Sequence, residues 1–382
     1  MRFWGITGTN GKTTTAWVLA DFLGAAYITT VEVWTLKRRF YTGYTTPPLS
    51  MLKEIYAEME AAGAKDCVME VSSHAIAQNR VGFGETTLFS GGAFTNISED
   101  HLDYHKTMEA YFRAKMGFPE AIAKNAPPPS TCAGRRDLPP FVVCLDGEES
   151  GARRMLEEAG RLPLNVIPVS FRRPRFDLSR LRLVGDFNKS NVLAAATLAE
   201  AAGVPRETIQ RRIPFLQPRW GRLERIENAD CKGTVYVDFA HTPDGIAKVL
   251  EAARGFTPPG ASIWIVFGAG GDRDPMKRPL MGEAAASGAD RIVVTSDNPR
   301  SEDPDAIISA IMVGIAKQGG TAASGAVAIA DRRDAISFAL SNAAQGDTVL
   351  ICGKGHETTQ EIAGVKYPFD DREEVRRWER KR

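Results

Sequence analysis

The chain has 382 residues, 43% hydrophobic and 25% charged, with a formal net charge of +1. That length allows two domains, and the composition is that of a globular protein. No basic excess points to nucleic acid, and no apolar run approaches the ~18 residues of a membrane span.

The amino terminus lacks the basic-then-apolar order of a signal peptide. Five cysteines (67, 132, 144, 231 and 352) show no C-x-x-C spacing. Cys67, Cys144, Cys231 and Cys352 sit in or beside apolar runs, as reduced packing residues of a cytosolic protein do.

Residues 5–15, Gly-Ile-Thr-Gly-Thr-Asn-Gly-Lys-Thr-Thr-Thr, lie between the apolar run Phe3–Ile6 and a helix-favouring run, Ala16–Leu23. Strand, glycine-rich turn, helix is the setting of a phosphate-binding loop. Gly8 and Gly11 let backbone N–H groups turn toward anionic oxygens, and the helix adds its positive end. Lys12 is placed to reach terminal phosphates, and the Thr13 hydroxyl suits Mg²⁺. Ile6 stands where the strict G-x-x-x-x-G-K-[ST] pattern would have Gly, so the loop is a variant.

A strand region is expected over 26–34, then a basic turn at 37–39 and a stiff loop, Tyr44-Thr-Thr-Pro-Pro48, before a helix over 49–62. Thr45 and Thr46 present hydroxyls to a ligand or simply belong to a loop. A buried strand, 66–71, ends near Glu70, an acid facing the ligand crevice or a solvated strand end. Another strand, 88–95, opens into Asn96-Ile-Ser-Glu-Asp-His-Leu-Asp-Tyr-His105. Its histidines and acids suit hard-cation binding or proton handling, or merely a hydrophilic turn.

Lys115 falls on an apolar helical stretch, where a lysine usually snorkels. A loop is expected over 125–140, a strand over 141–146, a helix over 151–161 and short strands within 166–183. Asn188-Lys-Ser-Asn191 should precede a helix over 192–202. Pro214–Arg222 reads as a connection between units 1–217 and 218–382. Strands at 234–238, 262–267, 291–297 and 348–352 then each deliver a polar cluster at the carboxyl end. The fold class is α/β, a phosphate-loop domain with a mostly parallel sheet followed by a Rossmann-like α/β domain.

Taken together, ordered strings along nearly the whole chain resemble the Mur ligase family, and within it the MurE type. They include Gly8-Thr-Asn-Gly-Lys-Thr-Thr14, Thr45-Thr-Pro47, Met69-Glu-Val-Ser-Ser-His74, Phe94-Thr-Asn96 and Asp100-His-Leu-Asp-Tyr-His105. They continue through Asn188-x-x-Asn191, Gly221-Arg222, Val237–Asp244, Gly270-Gly-Asp-Arg-Asp274, Lys277-Arg-Pro279, Asp297-Asn-Pro-Arg300 and Gly353-Lys-Gly-His-Glu357.

The resemblance implies an ATP-dependent amide ligase that activates a carboxylate as an acyl phosphate and joins it to a diamino acid. Lys12, Glu70, His101 and Lys115 would carry the chemistry. Thr13, Glu70, His101 and Lys115 would serve two Mg²⁺ ions, Lys115 as a carbamate formed with CO₂. Gly8, Thr9, Asn10, Gly11, Lys12, Thr13, Thr14 and Asn96, with Asn188, Asn191, Arg222, Asp238 and His241, would surround ATP. Thr45, Thr46, Ser73 and Arg80 match contacts to a muramyl-peptide acceptor. Asp297, Asn298, Arg273, Arg300, Gly353 and Glu357 match the set that takes meso-diaminopimelate, whose extra carboxylate calls for guanidinium forks and whose zwitterionic end calls for an acid.

The implied protein is a cytoplasmic monomer acting on small molecules, without nucleic acid or membrane. The family carries a domain of roughly a hundred residues ahead of the loop, the size of a small domain. With the loop at residue 5, the expectation is that a separate protein recognises UDP or that the acceptor is smaller, such as a free peptide. A folylpolyglutamate- or cyanophycin-type ligase and an inactive nucleotide-binding partner are the alternatives.

Overall fold

The computed structural model describes residues 1–382 except 83–87, 128–133, 135–136, 147–148, 220 and 380–382. Much of the expected 125–140 loop therefore lies outside the described residues. Two compact units divide the chain, Met1–Gln217 and Pro218–Arg382.

In the first unit eight strands form one sheet: β1 Arg2–Thr7, β2 Ala26–Ile28, β3 Val33–Trp34, β4 Arg39–Phe40, β5 Asp66–Glu70, β6 Phe89–Phe94, β7 Pro140–Cys144 and β8 Asn165–Val169. Their order is β4-β3-β2-β5-β1-β6-β7-β8. From β2 to β8 the pairing is parallel, and only the β2–β3 and β3–β4 pairs are antiparallel. Parallel sheets are covered on both faces and carry near-continuous apolar strands. Successive residues of β7 show it: Phe141 and Val143 face one core with Met69 and Phe89, while Val142 and Cys144 face the other with Trp4 and Ile6. Helices Lys12–Leu23 and Asp186–Ala201 cover one face. Helices Leu49–Ala61, Met108–Ala123 and Glu149–Ala159 cover the other.

Three expectations need correction. The strand region over 26–34 is two short strands, folded back where the Thr29 hydroxyl donates to Glu32 O at 2.9 Å. Within 166–183 only β8 is a strand. Its exit is bent by Asp146, which accepts from the Ser170 hydroxyl at 2.5 Å and from Phe171 N at 2.8 Å. The helix expected from 192 begins at Asp186, so Asn188 and Asn191 lie inside it, one turn apart.

The second unit holds β9 Glu224–Ile226, β10 Thr234–Asp238, β11 Ile263–Phe267, β12 Arg291–Val294, β13 Val327–Ala328 and β14 Thr348–Cys352, in the order β13-β12-β11-β14-β10-β9. Only β9 is antiparallel to its neighbour. Helix Arg332–Asn342 packs on one face against Val237, Val266, Val293 and Ile351. A hairpin, β15 Thr359–Ile362 and β16 Val365–Pro368, follows. Both units are α/β, with mostly parallel sheets, and no described helix is long and apolar enough to cross a membrane. Cys67, Cys144, Cys231 and Cys352 are buried free thiols.

Candidate active site

In the first unit the register brings three strand ends to one edge. Ile6 pairs with Glu70 of β5, and Thr7 pairs with Phe94 of β6. The loop 8–11 therefore emerges between Glu70 and the 95–101 segment. Thr9 N donates to Asn96 O at 2.9 Å, Asn10 N to Asn96 Oδ1 at 2.9 Å, and the Thr95 hydroxyl to Asn10 O at 2.6 Å. Gly8 and Gly11 have φ of 146° and 83°. A Cβ on Gly8 would meet Thr95 Oγ1 at 1.9 Å, and one on Gly11 would meet Asn191 Oδ1 at 2.3 Å. Both glycines are thus demanded by backbone geometry and by close packing. Asn191 Nδ2 bonds Asn188 Oδ1 at 3.3 Å, and Asn188 Nδ2 holds Val184 O at 2.7 Å.

Gly11 is the N-cap of helix Lys12–Leu23. With no side chain to cap the helix, its first N–H groups suit an outside anion such as phosphate. Lys12 Nζ donates to Gly8 O at 3.0 Å and Thr9 O at 2.7 Å. Lys115 Nζ reaches the same Gly8 O, at 2.8 Å, from helix Met108–Ala123. Its side chain does not snorkel; it is buried. Burial, then the Lys12 charge, holds its ammonium well below the ordinary lysine range. Tyr111, one turn earlier, puts its ring face 4.4 Å from that nitrogen and its hydroxyl 3.0 Å from Thr9 Oγ1.

Glu70 is buried, with Oε1 accepting from Thr30 N at 2.8 Å and Oε2 from the Thr30 hydroxyl at 3.0 Å. A carboxylate has about four acceptor positions, so capacity remains for a cation. Thr13 is buried in the first helical turn. The Thr13 and Glu70 oxygens are donors of the hard type that Mg²⁺ takes, and the His101 ring offers a nitrogen. Among the described residues no cluster of three His, Cys, Asp or Glu side chains makes a metal site unaided.

His101 sits at φ 57°, with its N–H held by Asp100 Oδ1 at 2.9 Å. Burial lowers its pKa to about 3, against the pull of Asp100, so its ring is neutral and able to act as a ligand at neutral pH. His105 bonds Ser73 Oγ through Nε2 at 3.0 Å, and burial lowers its pKa to about 4. The His74 ring lies 4.8 Å from that of His101 and 4.3 Å from that of Tyr104.

Of the expected acceptor contacts, the Thr45 hydroxyl lies 3.0 Å from Thr30 Oγ1 and donates to it, since the Thr30 proton goes to Glu70, while Thr46 is buried and donates to Glu70 O at 2.8 Å. Arg80 Nε donates to Gln78 Oε1 at 2.6 Å, and its guanidinium lies 5.9 Å from the Tyr44 ring.

The second unit gathers its own edge. Asp238, at the end of β10, accepts from Leu223 N and Ala240 N, both at 2.7 Å, and burial raises its carboxyl. The Arg222 guanidinium lies 4.6 Å from the Phe239 ring, and His241 Nδ1 lies 2.8 Å from Phe239 O. After β12, Asn298 Nδ2 bridges Asp297 Oδ1 at 3.0 Å and Glu357 Oε2 at 2.8 Å. Arg300 Nη1 donates to Gly271 O at 2.5 Å, while Arg273 is exposed. Gly353 has φ 113°, and a Cβ there would meet Asp297 Oδ2 at 2.6 Å.

Sequence reasoning missed Thr30, Tyr111, Lys354 and the buried pair Arg332–Asp371. Tyr111 carried one usable signal, its four-residue spacing from Lys115, which puts both on one helix face.

Comparison with known proteins bears on both edges. A model described as "Mur ligase middle domain" matches residues 6–132, and one described as "Mur ligase, glutamate ligase domain" matches 221–355. A protein of Synechococcus elongatus named UDP-N-acetylmuramoyl-L-alanyl-D-glutamate–2,6-diaminopimelate ligase is 41% identical over 98% of this chain and 76% of its own length. The Neisseria meningitidis protein of the same name is 39% identical, over 98% and 77%. A solved structure of that name superposes with a TM-score of 0.59 at 32% identity, covering 98% of this chain and 77% of its own. Mycobacterium tuberculosis folylpolyglutamate synthase, at 17% identity and TM-score 0.65 over 92% and 88%, shares the fold.

Proposed function

The chain belongs to the Mur ligase family, and on that premise we propose that it is an ATP-dependent ligase joining meso-diaminopimelate to UDP-N-acetylmuramoyl-L-alanyl-D-glutamate. The geometric observation that carries the reading is the convergence of Lys12 and Lys115 on Gly8 O, beside an uncapped helix start. Two cations at a phosphate loop suit a reaction that gathers negative charge on a transferring phosphoryl group. The names of the relatives supply the two substrates.

A carboxylate oxygen of the acceptor attacks the γ-phosphorus of ATP, and ADP leaves. The amine of the diamino acid then attacks the acyl carbon, loses a proton and expels inorganic phosphate. Lys12 and the first N–H groups of its helix hold and orient the phosphates. Bound Mg²⁺ neutralises phosphate charge, with Thr13, Glu70 and His101 as the residues that would hold it. Lys115, held toward its neutral amine, suits addition of CO₂ with loss of a proton. The resulting carbamate would support a second Mg²⁺. Asn188, Asn191, Arg222, Asp238 and His241 serve the nucleotide. Thr45, Ser73 and Arg80 serve the acceptor, with Thr46 bracing the end of β5. Arg273 and Arg300 take the distal carboxylate of the diamino acid, and Asp297, Asn298, Gly353 and Glu357 its ammonium end. A monomer in the cytoplasm, where ATP is at hand and thiols stay reduced, fits this reading.

The test is ADP release with ATP, Mg²⁺, meso-diaminopimelate and either the UDP-linked acceptor or the free L-Ala-γ-D-Glu dipeptide. The reading expects turnover with the UDP-linked acceptor that depends on both substrates, and a product heavier by one diaminopimelyl residue. Turnover with the free dipeptide alone would overturn the acceptor assignment.

A further inference from the structure

Lys354 follows β14, and its side chain is fully buried. Its ammonium donates to Asn298 Oδ1 at 3.2 Å, Glu357 Oε2 at 3.2 Å and Thr359 O at 2.6 Å. Asp297 Oδ1 lies 4.0 Å away. A buried charge is tolerated only when paired and hydrogen-bonded, and an ammonium has three donors. All three are used here.

The consequence falls on Asn298. Its Oδ1 accepts from both Lys354 Nζ and Glu361 N, the latter at 2.9 Å. Those two donors fix which way the amide is turned. Its Nδ2 must then face Asp297 and Glu357, and it bonds both. Two carboxylates are thus bridged by one amide and one buried ammonium. Asp297 is buried, whereas the Glu357 side chain is 32% exposed. The trio Asp297, Glu357 and Lys354 carries one net negative charge when ionised, a setting that favours one further cation.

We propose that Lys354 is a positioning residue for the incoming amino acid: it locks the Asn298 amide and the Glu357 carboxylate so that the two acids present a preset acceptor pair to a substrate ammonium. The proposal rests on the reading that this edge takes the diamino acid. Lys354 need not touch substrate. Its removal takes one of the two donors from Asn298 Oδ1 and frees Glu357 to change rotamer, so ordering them is deferred to binding and weakens it.

The experiment measures KM for meso-diaminopimelate and for ATP, with kcat, in Lys354→Met, Lys354→Arg, Glu357→Gln and the Met/Gln double variant, with thermal melts throughout. Lys354→Met should raise KM for the amino acid by about tenfold, as for loss of a charge-assisted bond, while KM for ATP stays within about twofold of wild type. Lys354→Arg should recover part of the loss. The double variant should be little worse than the worse single, because coupled residues are non-additive. A folded Lys354→Met with unchanged amino-acid KM, or strictly additive effects, would overturn the proposal. Should Lys354→Met fail to fold, Lys354→Gln, which keeps N–H donors without the charge, is held to the same criteria. Wild-type enzyme that ignores diaminopimelate would instead overturn the reading of the edge. The same variants are then measured on whichever amino acid in a panel drives ADP release, and their KM decides the positioning role.

Discussion

Lys12 and Lys115 donate to one acceptor, Gly8 O, at 3.0 and 2.8 Å, although they stand on different helices. Burial first, and then the charge of Lys12, pushes the Lys115 ammonium toward its neutral form. On the proposed reading, Lys12 meets the phosphates and Lys115 is the amine that takes CO₂.

Lys115→Ala should therefore lower kcat by about 10²–10³-fold, the range for removing one electrostatic group from a reaction centre. Short carboxylic acids added to the assay should restore part of that activity by supplying the missing anion. No loss, or a loss that no carboxylate rescues at any concentration, would contradict the carbamate role.

Stability should fall on the acid side of neutrality. The His105 pKa is lowered by burial from 6.5 to about 4. Between those values the unfolded chain binds more protons than the folded one, so folding stability rises with pH across that window. It is fully present above 6.5 and is lost as pH falls toward 4. Urea midpoints from pH 4.5 to 7.5 should rise more steeply in wild type than in His105→Gln. Parallel profiles would count against this assignment.

Arg332 and Asp371 form a fully buried bidentate pair, at 2.8 and 2.7 Å. Arg332 also donates to Cys352 O at 2.9 Å and Ser296 O at 3.3 Å, the residues just before Gly353 and Asp297. Removing one partner strands a buried charge and should cost about 3–5 kcal/mol. Urea unfolding of Arg332→Met and Asp371→Asn measures this. The double substitution Arg332→Met/Asp371→Leu should cost less than the sum of the two single losses.

Arg300 is fixed at φ 53° with its guanidinium on Gly271 O. Arg300→Met should raise KM for meso-diaminopimelate by about tenfold or more, the scale of a lost charged hydrogen bond, with KM for ATP unchanged. Equal effects on both substrates would show a general distortion instead.

Much of this was legible because it rests on local chemistry. Strand, glycine turn and helix place the phosphate loop, and apolar strands followed by polar clusters place both edges. The depth of Lys115 was not legible from its apolar helix, since burial depends on Tyr111 and on Gly8 arriving from a distant strand. The helix start at Asp186 was obscured because Asn188 and Asn191, which ordinarily favour caps, use their amides within the helix and against the loop. The hairpin after β14 was hidden by its turn. Ala363 and Gly364 both have positive φ, at 49° and 77°, where Asn-Gly would have announced the geometry. Lys354 comes just after β14 and Gly353, yet nothing in a sequence says that a buried lysine has three acceptors waiting.

A MurE-type ligase couples ATP cleavage to addition of meso-diaminopimelate to a UDP-linked muramyl dipeptide. The direct measurement is initial-rate ADP formation with each substrate omitted in turn, followed by mass analysis of the product. No sustained ADP formation is expected unless both the acceptor and meso-diaminopimelate are present, with one diaminopimelyl addition per ADP. ADP formation indifferent to diaminopimelate, or supported equally by L-lysine, would contradict it.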